Sequence, residues 1–209
     1  MVYLPIGMKS ETAAKLGRPR AFDADVALER AMHVFWAKGY QGAALSDLTR
    51  AMRINRPSLY AAFGDKEQLF RKVLDRYMNG PLAYFGQALG AAKARDVVER
   101  IFLGAANMAS DPRMPAGCLV VQGALACGDA VRSVRKEIAA RRASAKAALR
   151  RRLQEAKREG DLPPTADPAE LSHYVMTVLH GMAVQGADGA SRDQLRRVAQ
   201  IALRGWPTR

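Results

Sequence analysis

The sequence predicts an all-α protein. Ala, Leu, Arg and Glu are abundant, β-branched residues are sparse, and apolar and polar residues never alternate for long enough to indicate a strand. Helix start and stop signals divide the chain into about nine helices, three short ones followed by six longer ones. No internal repeat or low-complexity tract interrupts this order.

The N-terminal part begins with a basic stretch and a packing helix. Residues 1–20 are polar and basic and predict a flexible arm. The first helix begins after the N-cap residue Asp23, turns Leu28, Ala31 and Phe35 inward, and is broken within KGYQG.

Two short helices follow. Residues 45–52 predict the second helix, with Leu45, Leu48 and Met52 on one face, and Arg53-Ile54 makes the turn after it. Asn55 is the predicted cap of a third helix, which Phe63-Gly64 closes within about two and a half turns.

The longer helices are delimited by capping boxes, prolines and glycines. Asp65 and Gln68 form a capping box for a fourth helix, in which Gly80-Pro81 predicts a kink. The remaining predicted helices are residues 94–110, the apolar segment GCLVVQGALACG, residues 130–158, a helix from the N-cap Asp167 to about Val184, and a last helix starting at the Ser191 and Gln194 capping box.

The charge is strongly basic and unevenly distributed. The 209 residues are 49% hydrophobic and carry a net charge of +13, which suits one or two domains and a polyanionic partner such as nucleic acid. Residues 132–158 hold eleven Lys and Arg against Glu137 and Glu155. Their apolar stripe predicts a core-packed helix with a solvated basic face, and steering toward DNA or attraction of an anionic effector are the alternatives.

Location and redox chemistry follow from what the residues lack. No apolar run approaches the roughly 18 residues of a membrane span, and the opening MVYLPIGMKS does not have the pattern of an export signal, so we expect a cytoplasmic protein without membrane contact. Cys118 and Cys127 would lie on opposite sides of a helix and are predicted to be reduced, buried thiols rather than a redox switch.

Two short helices joined by a tight turn form the arrangement that places a recognition helix in a DNA major groove. Leu59 and Phe63 face the small core, so the opposite side of the third helix is predicted to address DNA. The predicted DNA contacts of this helix are Arg56 to guanine or phosphate, Ser58 and Tyr60 to phosphate, and Pro57 and Ala61 as small residues that permit close approach. Lys66, at the start of the fourth helix, is predicted to bind a phosphate.

The run from Phe35 to Phe70, FWAKGYQGAALSDLTRAMRINRPSLYAAFGDKEQLF, resembles the DNA-binding domain of the TetR/AcrR family of transcriptional regulators. Phe, Gly-Tyr, a short helix, a turn, Leu-Tyr-x-x-Phe and Lys-Glu-x-Leu recur in that family. The matching elements here are Phe35, Gly39-Tyr40, Leu59-Tyr60-Ala61-Ala62-Phe63 and Lys66-Glu67-Gln68-Leu69. GCLVVQGALA and HGMAVQGADGASRDQLRRVAQIAL also resemble C-terminal segments of a TetR subgroup, so the resemblance covers nearly the whole chain.

The resemblance implies a helical homodimer. Residues 21–66 are then the helix-turn-helix DNA-binding domain, and residues 67–209 a domain that binds a small effector and dimerises through a four-helix interface of the last two long helices. The expected function is that of a sequence-specific repressor on a pseudo-palindromic operator in double-stranded DNA, with its operator affinity controlled by the effector.

Two positions depart from the family pattern. Residue 44 is Ala where Ser or Thr usually caps the second helix, so that helix has a weaker cap or starts later, at Ser46. Arg53 stands where Gly is frequent, and a positive φ there costs about 1 kcal/mol or more. We predict a phosphate contact by Arg53 that would offset that cost, and include Ser46 and Arg53 among the predicted DNA contacts.

The sequence Gly17-Arg18-Pro19-Arg20 resembles the centre of an AT-hook. Arg18 and Arg20 are therefore predicted to enter a narrow minor groove. A solvated basic tail is the alternative.

The C-terminal domain offers candidate effector contacts, each of which is also a plausible core residue. They are Phe85, Phe102, Met108, Val121, Met176 and His180. His173 and His180 are seven residues apart but lack further ligands, so no metal is predicted.

Catalytic patterns are missing from the sequence. We find no nucleophile motif, phosphate-binding glycine loop or His-Glu-x-x-His, and predict neither an enzyme nor a cofactor. The main alternative to a regulator is a basic helical interaction protein that binds polyanions or a protein partner without reading sequence. A third class is an enzyme built on a helical bundle.

Overall fold

The computed structural model describes residues 22–109, 111–125 and 132–207, with only the backbone of residues 123–125. These residues form ten α-helices and no strand, which confirms the predicted all-α fold. The helices are α1 (Ala24–Gly42), α2 (Leu45–Met52), α3 (Arg56–Phe63), α4 (Lys66–Asn79), α5 (Ala83–Ala88), α6 (Ala94–Ala109), α7 (Leu119–Leu125), α8 (Arg132–Arg158), α9 (Pro168–Ala187) and α10 (Arg192–Arg204).

The first four helices enclose a small aromatic and aliphatic core. Phe35 of α1, Leu48 of α2 and Leu59 of α3 are fully buried, and the Phe35 ring meets the Phe70 ring of α4 edge-on at 4.9 Å. The eight-residue helices α2 and α3 are too short to persist alone in water. Burial of such side chains, worth about 1.5–3 kcal/mol each, holds them in place.

Five predicted helix starts are confirmed by cap hydrogen bonds. In each case the side chain of the N-cap residue accepts a hydrogen bond from a backbone N–H of the first turn, which otherwise lacks a partner. The caps are Asp23, Asn55, Asp65, Asp167 and Ser191. Gln68 and Gln194 return the reciprocal bonds, so both predicted capping boxes are complete.

The region after α4 differs from the prediction. Instead of one kinked helix, α4 ends at Asn79 and a separate α5 begins at Ala83, which raises the helix count within the described residues from about nine to ten. Gly80 adopts the non-helical angles φ −108° and ψ −97°. Pro81 then lacks the N–H that a continuing helix needs, so the chain turns rather than bends.

The C-terminal helices form a second core around α6. Phe102 of α6, Leu149 and Leu153 of α8 and Val175 of α9 are fully buried there. The long α8 therefore packs through its apolar stripe, as predicted. Six of its cations are exposed, whereas others, among them Arg141 and Arg142, are half-buried. Within the described ranges, no helix is long and apolar enough to cross a membrane.

Helix α4 connects the two halves of the molecule. Lys66 begins the helix beside α3, and Tyr77 near its end is fully buried among residues of the first core. That core also includes Cys118, Leu119 and Val121, which precede or belong to α7. Helix α4 therefore contributes to the packing at both of its ends.

Candidate nucleic-acid interface and buried cavity

Helix α3 has one anchored face and one free face. Leu59 and Phe63 are buried against the core. On the opposite side Arg56, Pro57, Tyr60 and Ala61 are exposed, and Ser58 is half-buried. Tyr60 leaves 48% of its surface exposed, which is unusual for an aromatic side chain and leaves its hydroxyl free to meet a partner.

The first turn of α3 is held ready by its cap. The Asn55 side chain accepts a hydrogen bond of 2.8 Å from the backbone N–H of Ser58. Arg56, next in the chain, makes no ion pair with any described residue, so its guanidinium is available for guanine or phosphate. Five of the predicted DNA contacts, Arg56 to Ala61 without Leu59, therefore lie together on one short helix.

The turn between α2 and α3 depends on Arg53. Its backbone lies in the left-handed region, with φ 58° and ψ 43°, and it is the one non-glycine residue of the described chain with positive φ. The backbone N–H groups of Arg53 and Ile54 close the end of α2 by bonding to the carbonyls of Arg50 and Thr49. The positive φ expected from the family pattern is thus present, and the side chain is exposed beside α3.

Of the two predicted alternatives for the start of α2, the structure shows the weaker cap. Ala44 occupies the N-cap without a side-chain hydrogen bond, and the helix starts at Leu45, so the later start at Ser46 is not adopted. Asp47 in the first turn bonds Lys38 at 2.7 Å. The Lys38 hydrogen bond lowers the pKa of Asp47, which keeps a negative charge at the positive end of the α2 dipole.

Lys66 is positioned by an aromatic ring. Its Nζ lies 4.6 Å from the centre of the Tyr40 ring, and that ring packs against Phe35 and Phe70. Partial burial lowers the pKa of Lys66. The ammonium group is therefore held at the first turn of α4, where backbone N–H groups favour a phosphate. The other predicted contacts, Arg18 and Arg20, lie outside the described residues.

A buried cavity lies between α4, α5, α6, α7, α8 and α9. Its lining includes Phe85, Met108, Val121, Met176 and His180, five of the six predicted effector contacts. Phe102, the sixth, is buried in the core of the C-terminal helices and does not line the cavity. The remaining lining residues are Met78, Leu82, Tyr84, Ala105, Ala109, Cys118, Val120, Arg141, Arg142, Ala145, Leu179 and Ala183.

The cavity is almost entirely apolar and small. Its volume is about 50 Å³, far below the roughly 300–1,000 Å³ of typical ligand sites. Three flexible methionines, Met78, Met108 and Met176, form part of the wall. Methionine side chains adapt readily to a new neighbour, so the wall can enlarge around a ligand.

Tyr77 of α4 connects the first core with the wall of the cavity. The Tyr77 hydroxyl hydrogen-bonds to Sγ of Cys118 at 3.2 Å and accepts the backbone N–H of Leu119 at 3.3 Å. Its ring packs edge-on against Trp36 of α1 at 4.8 Å. Burial raises the pKa of both the Tyr77 hydroxyl and the Cys118 thiol, so both groups keep their protons at neutral pH.

The structure also bears on the cysteine and histidine predictions. Cys118 is a free, buried thiol as predicted, whereas Cys127 lies outside the described residues. His180 faces the cavity, but His173 is exposed and lies 2.7 Å from Nζ of Lys146. No three His, Cys, Asp or Glu residues in the described ranges are grouped as a metal site.

Several cavity residues were not identified from the sequence. Tyr84, Cys118 and Arg142 line the cavity, and Tyr77 contacts its wall. Arg142 is one of eleven cations on a long basic helix, and no local pattern distinguishes it from the solvated ones. Its place in the cavity wall depends on how α8 packs against the neighbouring helices.

Comparison with known proteins agrees with this architecture. The family model described as "Bacterial regulatory proteins, tetR family" matches residues 27–73, and the model described as "Tetracyclin repressor-like, C-terminal domain" matches residues 94–202. The HTH-type transcriptional repressor ComR of Escherichia coli (strain K12) is 32% identical over 91% of this chain and 92% of its own length. The HTH-type transcriptional repressor BdcR of the same organism is 28% identical over 89% of this chain and 90% of its own length.

Solved structures give the same result. The TetR family transcriptional regulator CifR, solved as a cysteine mutant complexed with 26-bp double-strand operator DNA, is 43% identical with a TM-score of 0.87, over 91% of this chain and all of that chain. A TetR transcriptional regulator from Rhodococcus sp. RHA1 is 35% identical with a TM-score of 0.62, over 88% of this chain and 99% of that chain. All four of these proteins are described as transcriptional regulators or repressors. The helix-turn-helix, the C-terminal helical domain and these matches together show that the chain belongs to the TetR family of DNA-binding transcriptional regulators.

Proposed function

We propose that this protein is a cytoplasmic repressor that binds a pseudo-palindromic operator as a homodimer and releases it when a small molecule occupies the cavity. The observation that carries the proposal is the free face of α3, where Arg56 and Tyr60 are exposed while Leu59 and Phe63 anchor the helix. A helix presented in this way fits a DNA major groove. The similarity of the chain to ComR and BdcR, both repressors, and to CifR, solved with operator DNA, supports the same role.

The last two helices support dimerisation. Tyr174 and Val184 of α9 and Val198 and Ile201 of α10 are large apolar residues that remain exposed, Ile201 to 64%. Apolar side chains in such a group favour a partner surface. A two-fold axis through α9 and α10 would give each subunit one reading head, and hence two half-sites in the operator.

The contacts of Tyr77 suggest how the cavity controls the operator. A ligand that enlarges the cavity displaces the wall at Cys118 and Met108, both of which contact the Tyr77 hydroxyl. Because Tyr77 belongs to α4, its movement changes the position of Lys66 and α3. An effector that binds one arrangement of the reading heads better than the other shifts the population toward that arrangement.

Footprinting on genomic DNA fragments tests this function. We expect one protected region with two-fold symmetry, and Arg56→Ala should weaken operator binding by about 1–3 kcal/mol if Arg56 reads a base. Arg95→Ala, on α6 away from α3, is the matched control and should leave affinity unchanged. Equal affinity for all fragments would instead support a basic protein that binds polyanions without reading sequence.

A further inference from the structure

The cavity carries positive charge without negative charge. Its charged and titratable lining residues are Arg141, Arg142, His180, Tyr84 and Cys118, and no Asp or Glu is among the described lining residues. Arg141 is neutralised from outside, because its guanidinium bonds Asp75 and Glu137, each at 2.8 Å. Among the described residues, the charge of Arg142 has no such partner.

Arg142 is part of the cavity wall. Its side chain is half-buried and makes no hydrogen bond or ion pair with any described residue. Its positive charge acts on two other groups in the cavity wall, lowering the pKa of His180 and opposing the burial that raises the pKa of the Cys118 thiol. An unpaired cation against an apolar wall is unfavourable, and an anionic ligand that pairs with it removes that cost.

We propose that the effector is a small organic anion, with an apolar body and a carboxylate or similar planar acidic group, and that Arg142 pairs with that group. The inference rests on the proposed function, since it names the ligand class of the same cavity. Arginine matches a carboxylate with two parallel N–H donors. The apolar body then lies among the methionines and Phe85, which have no polar group to offer it.

His180 completes the anionic subsite. It lines the cavity from α9, near enough to Arg142 of α8 to feel its charge, and burial lowers its pKa, so at neutral pH the imidazole is uncharged. A neutral imidazole carries one N–H donor, which can bond a lone pair of a carboxylate oxygen that the arginine leaves free. The two groups together favour binding of an acid over its amide. Because His180 is uncharged, it adds no second unpaired cation to the cavity.

The ligand makes room by displacing side chains. At about 50 Å³ the cavity is smaller than even a short carboxylic acid needs. Tyr84 has no hydrogen-bond partner for its hydroxyl among the described residues, and its ring rests on Gly104. Nothing but packing therefore holds the ring, and the Tyr84 ring and the neighbouring methionine side chains are the parts of the wall that yield.

Calorimetric titration of the full-length protein without DNA tests the inference. The probes are straight-chain carboxylates from butyrate to decanoate together with benzoate and phenylacetate, each compared with its primary amide. We expect saturable binding of at least one acid, about tenfold or more tighter than its amide, because a charge-assisted pair is lost in the amide. Arg142→Gln should abolish this preference, and Arg150→Gln, an exposed cation of the same helix, should retain it.

Three results overturn the inference. They are an amide that binds as tightly as its acid, a preference for acids that survives Arg142→Gln, and no saturable binding of any acid in the panel. If Arg142→Gln fails to fold, by loss of helical circular dichroism, the comparison of acids with amides on the unaltered protein decides. Footprinting without ligand separates the two proposals, since a symmetric footprint without acid binding leaves the repressor standing and removes only the anionic effector.

Discussion

The Tyr77 hydroxyl and Sγ of Cys118 lie 3.2 Å apart and join the helix that begins at the DNA face to the wall of the cavity. Tyr77→Phe removes this bond and also the acceptor for the Leu119 N–H. We expect the free energy of unfolding to fall by about 1–2 kcal/mol in a denaturant titration, since a buried N–H is left unsatisfied.

The exposed Tyr60→Phe is the control for the loss of a tyrosine hydroxyl and should leave stability unchanged. Tyr77→Phe also tests the coupling between cavity and operator separately from operator binding itself. Tyr77→Phe should weaken the effect of a cavity ligand on operator affinity while leaving operator affinity without ligand close to that of the unaltered protein. An undiminished ligand effect would show that the cavity communicates with α3 by another route.

Gly104 makes space for the Tyr84 ring. A Cβ added at residue 104 would lie far inside van der Waals contact with that ring. Gly104→Ala should therefore displace the ring and cost about 1–3 kcal/mol of unfolding free energy, measured by denaturation. Adding Tyr84→Leu to this variant should recover part of the loss.

Gly86→Ala is the matched control for that substitution. Residue 86 also lies in a helix, but a Cβ there would meet no heavy atom within 4 Å. Because Ala is the better helix former, Gly86→Ala should be neutral or stabilise by up to about 1 kcal/mol. If Gly104→Ala is equally harmless, the Tyr84 ring does not depend on this contact.

Arg53 combines an unfavourable backbone with an exposed cation. Arg53→Gly relieves the left-handed strain of about 1–2 kcal/mol, whereas the freedom of Gly in the unfolded chain takes back about 0.4–1 kcal/mol. We expect a small net gain in unfolding free energy. In operator binding, loss of a phosphate contact should reduce the slope of log affinity against log salt by about one.

Arg53→Asn is the control, because Asn tolerates positive φ but carries no charge. It should reproduce the altered salt dependence of Arg53→Gly. An unchanged salt slope in both variants would remove Arg53 from the DNA contacts.

His180 should make stability depend on pH. Burial first, and then the charge of Arg142, lowers its pKa below the ordinary value of 6.5. Between the two pKa values the unfolded chain binds more protons than the folded one, so stability rises with pH through that window. The free energy of unfolding is therefore highest above about pH 6.5, as far as His180 is concerned, and falls as the pH is lowered toward the folded-state pKa.

His180→Gln should flatten this dependence in urea titrations at successive pH values. Met176→Leu alters the same cavity wall without removing a titrating group, and should shift the whole curve without changing its slope. A slope that His180→Gln leaves unchanged contradicts the assignment.

Local signals in the sequence determined most of the fold. The caps at Asn55, Asp65 and Ser191 act within a few residues of themselves, and the apolar spacing that buries Leu59 and Phe63 requires only the period of a helix. The turn after α4 was predicted as a kink, because a Gly-Pro pair does not reveal whether the following residues resume the same axis.

Apart from the break between α4 and α5, the sequence by itself determined the helices, the helix-turn-helix and the side of α3 that faces outward, since each depends on neighbours three or four residues away. Only the tertiary structure decided which residues line the cavity. Phe102 and Met108 belong to the same helix, yet only Met108 lines the cavity. The sequence does not distinguish Arg142 from the other ten cations of α8, and its place in the cavity wall depends on how α8 packs. Such differences arise because a cavity is formed by side chains far apart in the chain, and their convergence depends on the packing of whole helices.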